Sequence, residues 1–421
     1  MASNGVVAAY TDAPALNPKM TPTAIGVIFA ATFGCFVSVT PTIVAMMGVF
    51  LKPIAAEFGW PRSEVAGALA AVALGNAIAY PFAGRLADRI GPRRTALIGN
   101  LLLGISILCI SQVPAQPAIY YLAFIFAGAF GAMPSTMVFA KLIAEWFDRT
   151  RGLWMGFCGG VGNGIGATLF PMLGAALLLP YGWRTGFLGV GTVVLLAGFP
   201  ILFFLLREAP VRRSKAANEA LPLDGMTFRE AMRSTRFWWI FSIVPLGGGC
   251  MTAMFSTIVP ILTDRGVPLG AATSVIVAFA MTTLVVEPCM GWLADRTSSP
   301  KIMAPLFLIA AFGLWLLLHV SGEPMLLLAG MLIGVGAGVE YTIMPYLLSR
   351  YFGLKEFGAI SGIAYSGTLL FGALAPLSLN AVFDLVGRYD LAVYTIVGIL
   401  LYSSAAILTF GPYKYAIHRH A

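Results

Sequence analysis

Apolar runs long enough to cross a bilayer recur along almost the whole of this 421-residue chain. An α-helix needs about 20 residues to span a hydrocarbon core. Helices and closed barrels are the only backbones that satisfy their own hydrogen bonds there. Twelve such runs are read from the sequence, near 23–49, 65–86, 95–113, 118–142, 152–178, 185–206, 237–262, 271–293, 302–319, 325–347, 358–383 and 391–411. Hydrophobic residues make up 59% of the chain and charged residues 10%, and the charges fall mainly in the gaps between runs. The 47 Gly and 26 Pro would weaken soluble helices, whereas in a membrane neighbouring helices satisfy the freed backbone groups. These features predict an all-α integral membrane protein and exclude a soluble domain.

The net charge of +8 does not point to nucleic acid, because its placement has another cause. With the amino terminus inside, Lys52, Arg62, Arg184, Arg265 and Arg388 are the basic residues on the outer side, and the others fall on the inner side. This asymmetry is the positive-inside pattern. It predicts both termini in the cytoplasm and a multi-pass protein of the cell inner (plasma) membrane. Cys35, Cys109, Cys158, Cys250 and Cys289 all lie within apolar runs without metal-ligand spacing, and are expected to be packing residues. Residues 1–22 lack a signal-peptide pattern, so the first span is expected to be retained.

The longest gap, 207–236, divides the spans six and six. The expected organisation is a cytoplasmic tail (1–22), a six-helix bundle (23–206), a cytoplasmic loop (207–236), a second bundle (237–412) and a cytoplasmic tail (413–421). The halves resemble each other at a near-constant offset. Gly84, Leu86, Ala87, Asp88 and Arg89 match Gly291, Leu293, Ala294, Asp295 and Arg296 at 207 positions. Gly152 and Gly156 fall on Gly358 and Gly362 at 206, and Pro171 on Pro376 at 205. The pattern is that of a same-orientation repeat.

The segment GRLADRIGPRR (84–94) resembles the signature between helices 2 and 3 of the major facilitator superfamily. VFLKPIAAEFGWPRSEVAGAL (49–69), AEWFDRTRGLWMGF (144–157) with YGWR (181–184), and RYFGLKEFGAISG (350–362) resemble its monocarboxylate-porter branch and bacterial oxalate/formate antiporter-like relatives. The resemblance implies a major facilitator fold, twelve transmembrane helices in two six-helix bundles, and secondary transport by alternating access. It also implies a gating role for Gly84, Asp88, Arg89, Arg93, Arg94, Gly291, Asp295 and Arg296. Asp88 is expected to meet the amino end of helix 11 near Phe357–Ala359, and Asp295 that of helix 5 near Arg151–Gly152, where unpaired N–H groups carry partial positive charge. The three arginines after Asp88 are expected to anchor the loop to phospholipid and neighbouring acids.

Charge inside a span is costly and therefore informative. Glu287 in helix 8 and Glu340 in helix 10 stand well inside, where the first half has Tyr80 and Ser135, and both are candidate proton carriers. The competing reading is a structural acid, with Tyr341 or Arg350 capping it. Lys141 and Glu145 are read as snorkelling anchors. Mid-depth polar residues form the candidate substrate set: Asn76, Ser135, Asn163, Thr252, Ser256, Tyr341, Tyr365 and Ser366. Each is more often a packing group than a ligand, and Asn163 most needs a partner.

The pattern of animal monocarboxylate transporters fails at Ala45 and Thr283, where those relatives carry a Lys and the Asp of an Asp-x-x-x-Arg pair, and Glu287 occupies the Arg position. No cation replaces them in the middle of helices 8 or 11. No phosphate-binding loop, nucleophile–base pair, pore loop or output domain is visible, which argues against a pump, enzyme, channel or receptor. The expectation is proton-coupled symport of a small organic acid, with a neutral or cationic amphiphile, or organic-anion exchange, as alternatives. A small-molecule substrate, protons and membrane lipid are the expected partners of a monomer needing no cofactor or metal.

Overall fold

The computed structural model describes residues 20–209 and 223–415. Most of the amino-terminal tail, the loop interior 210–222 and the tail residues His418 and His420 lie outside the described residues. Twelve helices are long and apolar enough to cross a membrane. They are α1 (Pro22–Phe58), α2 (Arg62–Ile90), α3 (Pro92–Ile110), α4 (Pro117–Trp146), α5 (Arg151–Leu178), α6 (Pro180–Leu205), α7 (Thr235–Asp264), α8 (Leu269–Asp295), α9 (Pro300–His319), α10 (Glu323–Phe352), α11 (Phe357–Val386) and α12 (Asp390–Leu408). Every expected run corresponds to one of them. Helix α1 runs past the expected end at 49, because Lys52 and Glu57 lower the hydropathy without breaking the helix. It stops at Gly59, whose φ of 68° suits a glycine at a helix end.

Helices α1–α6 and α7–α12 form two bundles. The side carrying the 207–236 connection is called the loop side, and the opposite one the far side. The first bundle is the irregular one. Pro41 cannot donate to the preceding turn, and α1 passes through a wide turn at Thr40–Val44. Pro134 breaks α4 at 132–135, where the Ser135 hydroxyl donates to the Ala132 carbonyl at 2.7 Å. Wide turns recur at Phe157–Val161 in α5 and Val194–Gly198 in α6. Cys35, Cys158 and Cys250 are buried packing residues as expected, whereas Cys109 and Cys289 are exposed on the helix surface.

Two motif segments meet at the far side of the first bundle. Glu57, at the end of α1, accepts from the Trp183 indole N–H at 2.6 Å and from Arg184 at 2.9 Å. Arg184 also donates to the Ser111 and Val113 carbonyls at the end of α3 and stacks over Trp183 at 4.4 Å. The cluster ties the far ends of α1, α3 and α6. Solvent screening weakens the half-exposed ion pair, so the larger contribution is the partner for the buried Trp183 N–H. Glu57→Ala is expected to lower the stability of the detergent-solubilised chain by about 1–2 kcal/mol in thermal unfolding. Glu57→Gln, which can still accept from the indole, should lose less than half of that.

Candidate functional site

The two halves touch through glycines. A Cβ on Gly84 would overlap the Gly358 carbonyl and the reverse holds, and Gly152 and Gly291 form the equivalent pair between α5 and α8. Gly362 packs on the Tyr80 carbonyl and Gly156 on that of Glu287. Only glycine permits backbones to approach this closely.

That approach lets each half cap a helix of the other. Asp88, near the end of α2, accepts from the backbone N–H groups of Gly358 and Ala359 at 2.9 and 2.8 Å, in the first turn of α11. Asp295, the last residue of α8, accepts from Gly152 and Leu153, both at 2.9 Å, in the first turn of α5. The residues preceding these helices, Glu356 and Thr150, make no side-chain cap of their own. The aspartates therefore act as N-cap carboxylates supplied from across the interface, adding charge where the helix end is partly positive.

Each cap has an ionic partner. The snorkelling expected of Lys141 and Glu145 is not what the structure shows. Both are fully buried, with Lys141 Nζ 2.7 Å from Asp88 and 3.3 Å from Glu145. The lysine points inward because the paired acids and the α11 helix end supply a polar niche that lipid headgroups would otherwise provide. In the second half Arg350 bonds the Asp148 carboxylate at 2.7 Å and carbonyl at 2.6 Å, and lies 3.8 Å from Asp295. Arg350 thus serves the interface and not Glu340.

Arg93 is engaged within the first bundle. It donates to the Leu206 and Phe203 carbonyls at 2.6 and 2.9 Å and so closes the end of α6. Arg89 and Arg94 are exposed, and Arg296 lies 3.8 Å over the Trp292 ring. The 207–236 connection adds a strap that sequence reasoning missed. Gly225 pairs antiparallel with Gly353, Met226 N–H donates to Phe352 at 2.8 Å, and Phe228 N–H donates to Glu356 at 2.7 Å. Arg85 of α2 covers the Phe228 ring at 5.4 Å, so the strap touches both halves. In its short helix, Phe228–Arg233, the backbone N–H and hydroxyl of Thr227 hold the Glu230 carboxyl below its ordinary range.

Among the described residues, the hydrogen bonds and glycine contacts between the halves end at mid-depth. On α2 and α11 the last is the Ser366 hydroxyl donating to the Ala77 carbonyl at 2.7 Å, beside the Tyr80–Tyr365 ring pair at 5.6 Å. On α5 and α8 it is Leu284 against Gly164. Among the described residues no hydrogen bond or ion pair joins the halves nearer the far side. The loop side is sealed, and among the described residues the far side carries no matching hydrogen bond or ion pair.

Just beyond the seal lie the two acids. The Glu287 carboxylate packs on Gly160 at the wide turn of α5, within electrostatic reach of Cys35, Tyr341 and Tyr365. Glu340 is buried against Gly247 of α7, and its carboxylate has no hydrogen-bond partner among the described residues. Tyr341, exposed to 41%, sits within reach of both acids and of Thr252. No described Lys or Arg forms an ion pair with either acid.

The candidate substrate residues separate accordingly. Tyr341 and Tyr365 gather near Glu287, and Thr252 stands beside Tyr341. Asn163 finds its partners inside the first bundle, accepting from Ser38 at 3.0 Å and donating to Thr136 at 3.1 Å and to the Gly159 carbonyl at 2.8 Å. Ser135 closes the break in α4, and Ser366 belongs to the seal. Thr252 and Ser256 bond back to their own helix, and Asn76 is buried with its Oδ1 unpartnered.

Two bundles of six apolar helices with a sealed face and an acid-lined centre define a transporter fold, not an enzyme. The chain belongs to the Major Facilitator Superfamily, whose family model matches residues 27–376 and 248–417. It is 24% identical over 327 residues to YhjX, an uncharacterized MFS-type transporter of Escherichia coli (strain K12), covering 76% of this chain and 79% of that one. Monocarboxylate transporter 11 of Homo sapiens is 25% identical over 380 residues, 86% of this chain and 77% of the relative. The probable nitrate/nitrite antiporter NarK1 of Thermus thermophilus is 24% identical over 387 residues, 83% of each. Among solved structures, the transporter FucP in its outward conformation superposes with a TM-score of 0.70 at 14% identity, covering 92% of this chain and 98% of that one.

The glycine pairs give a direct expectation. Gly358→Val forces the Gly84 backbone away and should expose the loop side, raising thiol labelling of a cysteine placed at Ala359 by roughly tenfold. Gly372→Ala on the same helix, whose Cβ would have no neighbour nearer than 3.8 Å, should leave labelling unchanged.

Proposed function

We propose that the chain is a proton-coupled secondary transporter, a symporter of a small organic acid, working by alternating access as a monomer in the cell inner membrane with the loop side cytoplasmic. The observation that carries this reading is a pair of membrane-embedded carboxyl groups, half-buried Glu287 and buried Glu340, held beside the seal without a cation among the described residues. A membrane-embedded acid that must exist without a counter-charge is poised to hold a proton.

The missing cation gives the coupling a physical form. A substrate carboxylate about 4 Å from an ionised Glu287 is repelled by about 4 kcal/mol at an effective dielectric of 20. When Glu287 is protonated, its O–H can donate to that carboxylate, while the Tyr341 and Tyr365 hydroxyls supply further donors. Anion and proton then load together. Glu340, reached past Tyr341, relays the same proton and adds no second one to the cycle. Closing the far side afterwards requires the caps at Asp88 and Asp295 to release, each worth about 1–3 kcal/mol, which places the two states within reach of thermal exchange. The similarity to relatives named for monocarboxylate and nitrate favours a small anion. A second reading, exchange of a cationic amphiphile for protons, draws on the same absence of a base, since an ionised Glu287 would pair with the cation.

One substitution separates them. In proteoliposomes, Glu287→Gln keeps a hydrogen-bond donor. For an acid symporter it should therefore retain exchange of labelled substrate while losing at least about tenfold of the accumulation driven by a pH gradient. For a cation exchanger it should lose binding itself. A proton moving with a monoanion carries no net charge, so wild-type accumulation should follow the pH gradient and ignore voltage. Accumulation of a panel of labelled acids and amphiphiles that ignored the pH gradient would remove proton coupling from the account.

A further inference from the structure

A second polar feature lies away from the seal and the central acids. Between the start of α7 and the end of α12, on the loop side, the surface opens into a cleft of about 440 Å³. Its walls are Ser234, Thr235, Arg236, Trp239 and Thr409, whose hydroxyl donates to the Ala406 carbonyl at 2.6 Å, and among the described residues no carboxylate lines it. Donors and one cation without an acid are the chemistry of an anion site.

The cleft is held in shape from behind. Tyr351 is buried, its ring lies 4.8 Å beneath the Arg236 guanidinium, and its hydroxyl donates to the Gly411 carbonyl at 2.6 Å. One tyrosine thus fixes the cation and the opposite wall. The position is that of a bilayer boundary. Trp238 and Trp239 are both exposed, Trp239 stacks on Tyr402 of α12, and the Tyr402 hydroxyl pairs with Ser242 at 2.9 Å. Aromatic side chains with one polar end settle at headgroup level. Arg229 and Arg233, exposed on the preceding short helix, add attraction for an anionic surface.

We propose that this cleft binds the phosphate-bearing headgroup of an anionic phospholipid. The phosphodiester meets Arg236 and the Ser234 and Thr235 hydroxyls, and the acyl chains run down the outer face past Trp239 and Tyr402.

The test uses the full chain purified in detergent and titrated with phosphatidylglycerol, phosphatidylcholine or inorganic phosphate, read by native mass spectrometry and thermal unfolding. The wild type is expected to retain phosphatidylglycerol in preference to phosphatidylcholine and to unfold at a higher temperature with it. Arg236→Gln should weaken retention about tenfold. Thr409→Trp, which fills the cleft and leaves every charge in place, should do the same if Arg236→Gln fails to fold. Arg229→Gln, outside the cleft, should change retention by less than about twofold. Equal retention of the two lipids, or an equal loss in Arg229→Gln, would overturn the proposal. Stabilisation by inorganic phosphate matching that by phosphatidylglycerol would also overturn it, in favour of a free-anion site.

Discussion

The arrangement of the halves depends on a capping interaction made across an interface. A helix that begins inside a protein leaves N–H groups unpaired, and its own flanking residue usually covers them. Here α5 and α11 begin without such a cover, and Asp295 and Asp88 of the opposite half provide it. The first turns of α5 and α11 are satisfied only while the halves are together. Opening the loop side exposes two helix ends, two carboxylates and the Lys141 and Arg350 ion pairs at once. Water can then replace each partner, so the cost is moderate and the contact can be broken and remade.

Everything near the caps serves this approach. The glycines at 84, 152, 291 and 358 remove the side chains that would hold the backbones apart. The buried Lys141 balances Asp88 and Glu145, and Arg350 balances Asp148 and Asp295. Glu145 and Arg350 occupy matching positions at the 205-residue offset, so the two copies solve the same electrostatic problem with opposite charges. The strap at 224–228 rests on the same helix end through Glu356. The central acids lie immediately beyond, with the Glu287 carbonyl in the seal and its carboxylate above it. A change in the charge of Glu287 is therefore felt at the surface where the halves meet.

Much of this was legible in the sequence. Apolar run length gave the twelve helices, and the repeated Gly-x-Leu-Ala-Asp-Arg gave both the duplication and the helix ends that the aspartates reach. What escaped was whatever depends on partners distant in the chain. Lys141 and Glu145 read as anchors because a charge near a helix end usually reaches for headgroups, and nothing in the local sequence announces that Asp88 waits beside them. Asn163 stood out as a buried amide, but its partners Ser38 and Thr136 come from other helices at a wide turn that hydropathy does not encode. The FGWPR and YGWR segments carried a family likeness, and only the fold shows why: Glu57, Trp183 and Arg184 form one clamp. The strap at Gly225 was hidden because a single backbone bridge leaves no periodic trace.

The central claim, that capping across the interface holds the loop side shut, is open to a distance measurement. In a background without the five native cysteines, spin labels at Phe204 and Lys301 report the loop side, and labels at Ser63 and Leu385 the far side. Double electron–electron resonance would compare this chain with Asp88→Asn combined with Asp295→Asn. The account predicts that the double substitution shifts population toward longer loop-side and shorter far-side distances, together. Unchanged distributions on both sides, in a protein that still folds, would contradict it.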